Sequence, residues 1–370
     1  TRMHQVESEL AEDQPRERST RTVGSRNVLL RSRCPHCHHP VNVMDDAHVD
    51  EITCESCGSR FNIFDEDTRI ELQREFRHHL NHFELIREVG RGHFGVVWKA
   101  WDKKLDRHVA IKVPRRRGID AAHSGDFFRE ARAAAQLKHS NIVTVYEVGR
   151  TDTTAYIVSD FVAGVTLRDW LKDERLTVRE AAELCLKMAE ALTHAHENGV
   201  IHRDLKPGNV MLDRSGEPHI MDFGLAKRDA GEITVTADGH ILGTPAYMSP
   251  EQAQGDSHLA DRRSDIYSLG VILYELLTGE LPFRGDLLML VAQITAEEPT
   301  SPRRLNSRVP RDVETICLKC LEKDPAKRYQ SADDLANELR RFLKGKPIHA
   351  RPVGRMAKLI RWCNRNRTTA

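Results

Sequence analysis

The sequence predicts an α+β chain of two lobes, a strand-rich small lobe followed by a helical large lobe, with a small cysteine-bearing segment in front. Three observations carry that expectation. Apolar residues alternate around a glycine-rich turn between Phe83 and Lys112, the pattern of strands half-buried against a core. From Thr177 onward apolar residues recur at helical spacing between caps and turns. Ahead of both stand two C-x-x-C pairs, Cys34/Cys37 and Cys54/Cys57. A chain of 370 residues exceeds the size at which one core usually keeps growing, so one large domain with accessories is expected. The divisions are a disordered tail over 1–30, a metal-binding segment over 31–66, a linker over 67–82, the two-lobed domain over 83–346 and a basic tail over 347–370.

Composition excludes several classes. With 39% hydrophobic and 30% charged residues and a formal net charge of +1, nothing global points to nucleic acid. The eight cysteines form three C-x-x-C pairs plus Cys185 and Cys363, unlike the dense framework of a small secreted domain, which favours a reducing compartment. No apolar run is long enough to cross a bilayer and the start carries no secretory apolar stretch, so the chain as it stands is expected to be soluble. Residues 1–27 have almost no large apolar side chains and cannot offset the entropy of ordering.

Taking the elements in order, each C-x-x-C pair presents two thiolates from one tight turn. Sixteen residues separate Cys37 from Cys54, within the range in which two knuckles share one tetrahedral zinc. The segment resembles a zinc ribbon, with short strands expected around Val41 and Val43 and around Phe61 and Ile63. A disulfide is disfavoured by the reducing composition, and a redox motif by the absence of a βαβ pattern. His36, His38 and His39 crowd the first knuckle, but Cys34, Cys37, Cys54 and Cys57 already fill a closed structural site. A charged helical linker is expected around Thr68–Leu80.

The run Gly90-Arg91-Gly92-His93-Phe94-Gly95 is weak evidence alone, since it also opens dinucleotide-binding helices. Here Val96-Val97-Trp98 continues it as a strand, and Val109-Ala110-Ile111-Lys112 follows on another, which favours a flap over ATP phosphates with Lys112 on their oxygens. A helix over Asp126–Leu137 offers Glu130 as the carboxylate to hold Lys112. Strands over 143–149 and 155–158 lead to 159–164, read as the connector between lobes. Thr177 and Glu180 form a capping box for a long helix ending near Asn198-Gly199. The octamer His202-Arg203-Asp204-Leu205-Lys206-Pro207-Gly208-Asn209 then supplies what phosphoryl transfer needs: a carboxylate for the incoming hydroxyl in Asp204, a cation in Lys206 and a metal ligand in Asn209. Asp222-Phe223-Gly224 adds a second carboxylate. Residues 222–251 lack apolar periodicity, and so long an irregular stretch in a compact domain is functional or disordered. Helices are expected over 264–277, around Val313–Leu321, and after a cap at Ser331 and Asp334. Cys317 and Cys320 fall on a helical core stripe and read as packing.

With those motifs and Ser249-Pro250-Glu251 in order, Phe83–Lys346 resembles a eukaryotic-like, bacterial serine/threonine protein kinase, which implies the bilobal kinase fold, ATP, Mg2+ and protein substrates. The resemblance implies that Asp204 orients the substrate hydroxyl, Lys206 neighbours the γ-phosphate, Lys112 pairs with Glu130, and Asn209 and Asp222 hold magnesium. It places Val89, Gly90, Gly92, Phe94, Gly95, Val97, Ala110 and Lys112, with the carbonyl of Asp160 and the amide of Val162, around ATP. Thr244 would bridge Asp204 and Lys206, Asp265 would brace the catalytic-loop backbone, and Glu251 would pair with Arg328. Ser159 is small where the family often has a larger residue at the back of the ATP pocket, so a rear cavity is expected. Arg203 beside Asp204 calls for an anion, for which phosphorylated Thr234 or Thr236 is the candidate. Two other readings stand beside this one. A pseudokinase is opposed by the intact Lys112, Glu130, Asp204, Asn209 and Asp222. A nucleic-acid-binding ribbon is opposed by the lack of a basic, aromatic-interleaved stripe over 34–63. The ribbon is expected to hold structural Zn2+ and to dock a partner or regulate the kinase. Arg351–Ala370 carries six Lys or Arg and no acid, with Val353, Met356, Ile360 and Cys363 at helical spacing. That pattern suits an anionic membrane surface and the cytoplasmic part of a membrane-anchored kinase.

Overall fold

A computed structural model describes residues 28–33, 40–44, 52–53, 56, 60–61, 79–92, 95–114, 131–151, 155–223, 245–255 and 260–350. The chain divides into two compact units, Thr1–Leu85 and Ile86–Ala370. In the first, β1 (Val28–Arg33) pairs antiparallel with β2 (Pro40–Met44), and β3 (Ile52–Thr53) with β4 (Arg60–Phe61). Each C-x-x-C pair falls in the connection of one hairpin, Cys34 and Cys37 between β1 and β2, Cys54 and Cys57 between β3 and β4. The four cysteines themselves lie outside the described residues, as does Ile63. The first strand starts at Val28, three residues ahead of the expected edge of this segment.

The linker does not run as helix to Leu80. His79–Leu80 form β5, which turns through Asn81, held at φ 53°, and pairs with the start of β6 (Phe83–Gly92). Asn accepts the left-handed backbone such a tight turn demands, and Leu80 and Phe83, paired across it, are both buried.

In the second unit β6 continues into a sheet of order β6-β7-β8-β10-β9, with β7 at Gly95–Asp102, β8 at Arg107–Pro114, β9 at Val145–Arg150 and β10 at Ala155–Asp160. The β7–β8 turn is organised by Asp102, whose carboxylate accepts the amides of Lys104 and Leu105 at 3.0 and 3.1 Å. Along β8 the period-two alternation buries Val109, Ile111 and Val113 and leaves Ala110 and Lys112 on the opposite face. The lobe connector starts later than the sequence suggests, because Ser159 and Asp160 still pair with Ala110 and Val109.

The large lobe opens with β11 (Gly164–Thr166) and helix α1 (Leu167–Asp173), capped by Thr166. Helix α2 (Val178–Glu197) carries the expected Thr177/Glu180 capping box and ends at Asn198 before Gly199. A short hairpin, β12 (Val210–Asp213) and β13 (Pro218–Ile220), completes a three-stranded sheet with β11. Then come α3 (Pro250–Ala253), α4 (Arg262–Thr278), α5 (Leu287–Ala296), α6 (Pro302–Leu305), α7 (Arg311–Cys320) and α8 (Ala332–Leu343). Helix α4 is buried around nearly its whole circumference, which identifies it as the central helix against which α2 and α7 pack. Cys185, Cys317 and Cys320 are buried free thiols in that core; burial pushes the thiol of Cys320 up to about 12, so packing is their role. Among the described residues no helix is long and apolar enough to cross a membrane.

Candidate active site

The hairpin β12–β13 brings two of the predicted residues together. Its ladder, Val210 opposite Ile220, extends one step to a bond from the Met221 amide to the Asn209 carbonyl at 3.0 Å, so Asn209 and Asp222 sit side by side at its open end. Lys112 reaches them from β8, its Nζ 2.8 Å from Asp222 Oδ1. Burial works to raise the Asp222 carboxyl, but the charge and hydrogen bond of Lys112, with His202 and Lys206 nearby, more than offset it and hold the group below the usual carboxylate range. Asp222 also holds a left-handed φ of 64° and Arg203 one of 66°. Asp tolerates this backbone, whereas for Arg203 it is strained, a cost that persists where surrounding bonds over-determine the geometry.

Those bonds converge on Asp265. Buried in α4, it accepts the amides of His202 at Oδ2 and Arg203 at Oδ1, each at 2.8 Å, and His196 Nε2 lies 2.8 Å from Oδ2. Burial alone would raise its carboxyl; the His196 hydrogen bond and the neighbouring histidines and amides bring it below the ordinary value. The expected bracing role of Asp265 is therefore seen directly. His202 Nδ1 accepts the Asp204 amide at 3.2 Å, which assigns its proton to Nε2, the atom 3.0 Å from the Met221 carbonyl. The ring leans on Phe223, centroids 4.8 Å apart.

The carboxylate of Asp204 is fixed from two sides. Lys206 Nζ donates to Oδ2 at 2.6 Å and Asn209 Nδ2 to the same oxygen at 3.0 Å and to the Asp204 carbonyl at 2.8 Å. Asp204, Lys206 and Asn209 thus form one hydrogen-bonded cluster beside the Lys112–Asp222 ion pair.

Glu251 and Arg328 form the expected pair, two parallel bonds of 2.8 Å, with Ser264 Oγ adding a third to Glu251 at 2.7 Å. Against the burial that would raise it, the Arg328 bond and charge hold Glu251 down to about 2. Next to it Gln252 was not anticipated: buried at the start of α3, it donates Nε2 to the Arg203 carbonyl at 2.7 Å. The Asp265 contact of His196 was equally unread. Neither carries a sequence signal, since a helical Gln or His announces no tertiary partner.

On the nucleotide side Val97 lies directly opposite Lys112, and Ala110 shares the Lys112 face. Gly95 has φ 145°, and a Cβ there would stand 2.1 Å from the Val113 carbonyl, so only glycine fits. Val89, Gly90 and Gly92 are in β6, Asp160 ends β10, and Val162 follows in the connector. Phe94, Glu130, Thr234, Thr236 and Thr244 lie outside the described residues.

The family described as protein kinase domain matches residues 83–339. The chain belongs to the protein kinase family. It is 41% identical over 286 residues to the serine/threonine-protein kinase PknB of Mycobacterium leprae, covering 75% of this chain and 45% of that protein. It is 40% identical over 265 residues to the serine/threonine-protein kinase PrkC of Bacillus subtilis, covering 70% of this chain and 40% of that one. The chain thus spans less than half the length of these curated relatives. Among solved structures, a point mutant of the Mycobacterium tuberculosis PknI kinase domain aligns with a TM-score of 0.57 and 25% identity over 71% of this chain and 96% of that one. The domain seen here is therefore a protein kinase domain.

Proposed function

We propose that this protein transfers the γ-phosphoryl group of ATP to serine or threonine hydroxyls of proteins, including its own over 222–251. The observation that carries this is the Asp204 carboxylate held by Lys206 and Asn209 beside the Lys112–Asp222 pair. With Oδ2 engaged twice, Asp204 keeps Oδ1 to accept the proton of the incoming hydroxyl. Lys206, locked to Asp204, places a cation where the transferred oxygens gather charge. Asn209 uses its amide nitrogen on Asp204 and retains Oδ1; with the Asp222 carboxylate this makes a pair of hard oxygen donors that suits magnesium. Bound magnesium would neutralise phosphate charge. Lys112, on the rigid strand β8, orients the phosphates under the flap that Gly95 keeps close.

Incubation of the purified chain with Mg-ATP and a protein substrate should yield phosphoserine or phosphothreonine, and Asp204→Asn should lower turnover by roughly 10²–10⁴. Full turnover in Asp222→Asn protein that retains its fold would overturn the reading.

Three finer readings accompany it. Cys34, Cys37, Cys54 and Cys57 hold one zinc; the placement of each pair at a hairpin connection supports this, and the ribbon serves partner docking or regulation. Phosphorylated Thr234 or Thr236 orders the segment over 222–251; the buried Arg203 Nε, which has no hydrogen-bond partner among the described residues, supports an anion there. Mass spectrometry of active protein finding neither threonine modified would remove that idea. The basic stretch Arg351–Ala370 supports anchoring of the full protein at an anionic cytoplasmic membrane face, which fractionation of cells expressing the whole gene tests.

A further inference from the structure

The large lobe carries a second cation-rich site, far in sequence from the catalytic loop. A cavity of about 570 Å³ opens between α7, α8 and the strap of residues 344–350 that follows α8. That volume lies in the range of small-ligand pockets. Six cations line it: Lys319, Arg328, Arg340, Arg341, Lys344 and Lys346. Two have their charge answered from outside the wall, Arg328 by Glu251 and Arg340 by Glu190 at 2.7 Å.

The carboxylates in the wall do not answer the rest. Asp334 caps its own helix by accepting the Ser331 amide at 3.0 Å. Glu338, buried, accepts the amides of His349 at 2.8 Å and Ala350 at 2.7 Å, which pins the strap to α8. Arg341 braces the same strap through Nε on the Pro347 carbonyl at 2.6 Å, while the Lys346 amide returns to the Arg341 carbonyl at 2.9 Å. The strap is thus fixed by backbone bonds that use none of the ammonium groups of Lys344 and Lys346. Lys319 stands with its ammonium 4.3 Å above the ring of Tyr329. Tyr329 is buried in the wall beneath Lys319, its hydroxyl beside the Glu338 carboxylate that holds the strap.

We propose that this cavity binds a phosphate-bearing anion, a phosphate ester or pyrophosphate group of at least two negative charges, held by Lys319, Lys344, Lys346 and the free end of Arg341. A soluble phosphate ester and an anionic lipid headgroup share this chemistry.

The test is lysine acetylation footprinting of the whole chain, with the nucleotide pocket saturated by a non-hydrolysable ATP analogue and magnesium. Lys172, exposed on α1, serves as the internal reference. Pyrophosphate should slow acetylation of Lys344 and Lys346 relative to potassium chloride of equal ionic strength. Lys319→Gln should weaken the half-saturating concentration by roughly two- to fivefold, as expected for loss of one partly exposed cation, and Lys319→Arg should restore it. Protection by phosphatidic acid vesicles but not pyrophosphate assigns the site to a headgroup; protection by pyrophosphate assigns it to soluble ligands. Protection by neither, protection matched by potassium chloride, or protection indifferent to Lys319→Gln overturns the proposal.

Discussion

Glu251→Gln isolates the clamp that ties the start of α3 to Arg328. The Arg328 side chain is fully buried and all five of its N–H donors are used: two on Glu251, the others on the carbonyls of Glu322, Arg263 and Lys323. Replacing the carboxylate by an amide turns one acceptor into a donor facing a guanidinium N–H, and leaves the arginine charge buried without a counter-ion. Removing one partner of a buried pair costs about 3–5 kcal/mol. An independent route agrees. Folding holds the Glu251 carboxyl down from 4.5 to about 2, which corresponds to about 3 kcal/mol. Because the folded value is depressed, that stabilisation is complete well above pH 4.5 and fades as the pH falls toward 2. Urea unfolding of wild type and Glu251→Gln at pH 7 should therefore differ by about 3 kcal/mol, and at pH 3 by about half as much. A difference under about 1 kcal/mol at pH 7, or one that does not change with pH, would refute the assignment of the clamp as a charged, desolvated pair.

Gln252→Ala removes the donor on the part-buried Arg203 carbonyl and the acceptor of the buried Ser249 amide and hydroxyl; stability should fall by about 1–3 kcal/mol. Steady-state kinetics on the folded variant should show kcat down roughly tenfold with KM for ATP little changed, since the loss is to catalytic-loop position and not to the nucleotide flap. Gly95→Ala forces a Cβ against the Val113 carbonyl at a backbone angle that side chains rarely adopt, costing about 1–3 kcal/mol, and should weaken ATP binding measured by titration while leaving the large lobe intact. Metal analysis of reduced, chelator-free protein should return one zinc per chain, and chelation should lower its apparent stability without abolishing phosphotransfer.

What the sequence determined by itself is the chemistry and its order along the chain. Asp204, Lys206 and Asn209 were legible as a candidate set because they stand at short spacings in one loop, and local spacing is what a linear sequence records; Lys112 and Asp222 were legible as separate short motifs, and the fold brings them together as an ion pair. The Thr177/Glu180 and Ser331/Asp334 caps were legible for the same reason, each being a bond between residues three apart. The kinase resemblance further carried Asp265 and the Glu251–Arg328 pair, both of which stand in the fold as expected.

Tertiary structure alone decided the rest. The Gln252 bond to Arg203 spans 49 residues and that of His196 to Asp265 spans 69, and no periodicity encodes such separations. The short strands β11 to β13 escaped because three or four residues are too few to establish a period, although their ladder is what sets Asn209 beside Asp222. The linker end became strand at His79–Leu80 because a turn at Asn81 lets Leu80 be buried, an advantage visible only once β6 exists to pair with it. The cation-rich cavity under the 344–350 strap is likewise a product of packing. Its charges lie on separate elements, and only the bonds from Glu338 and Arg341 that fold the strap back onto α8 gather them around one space.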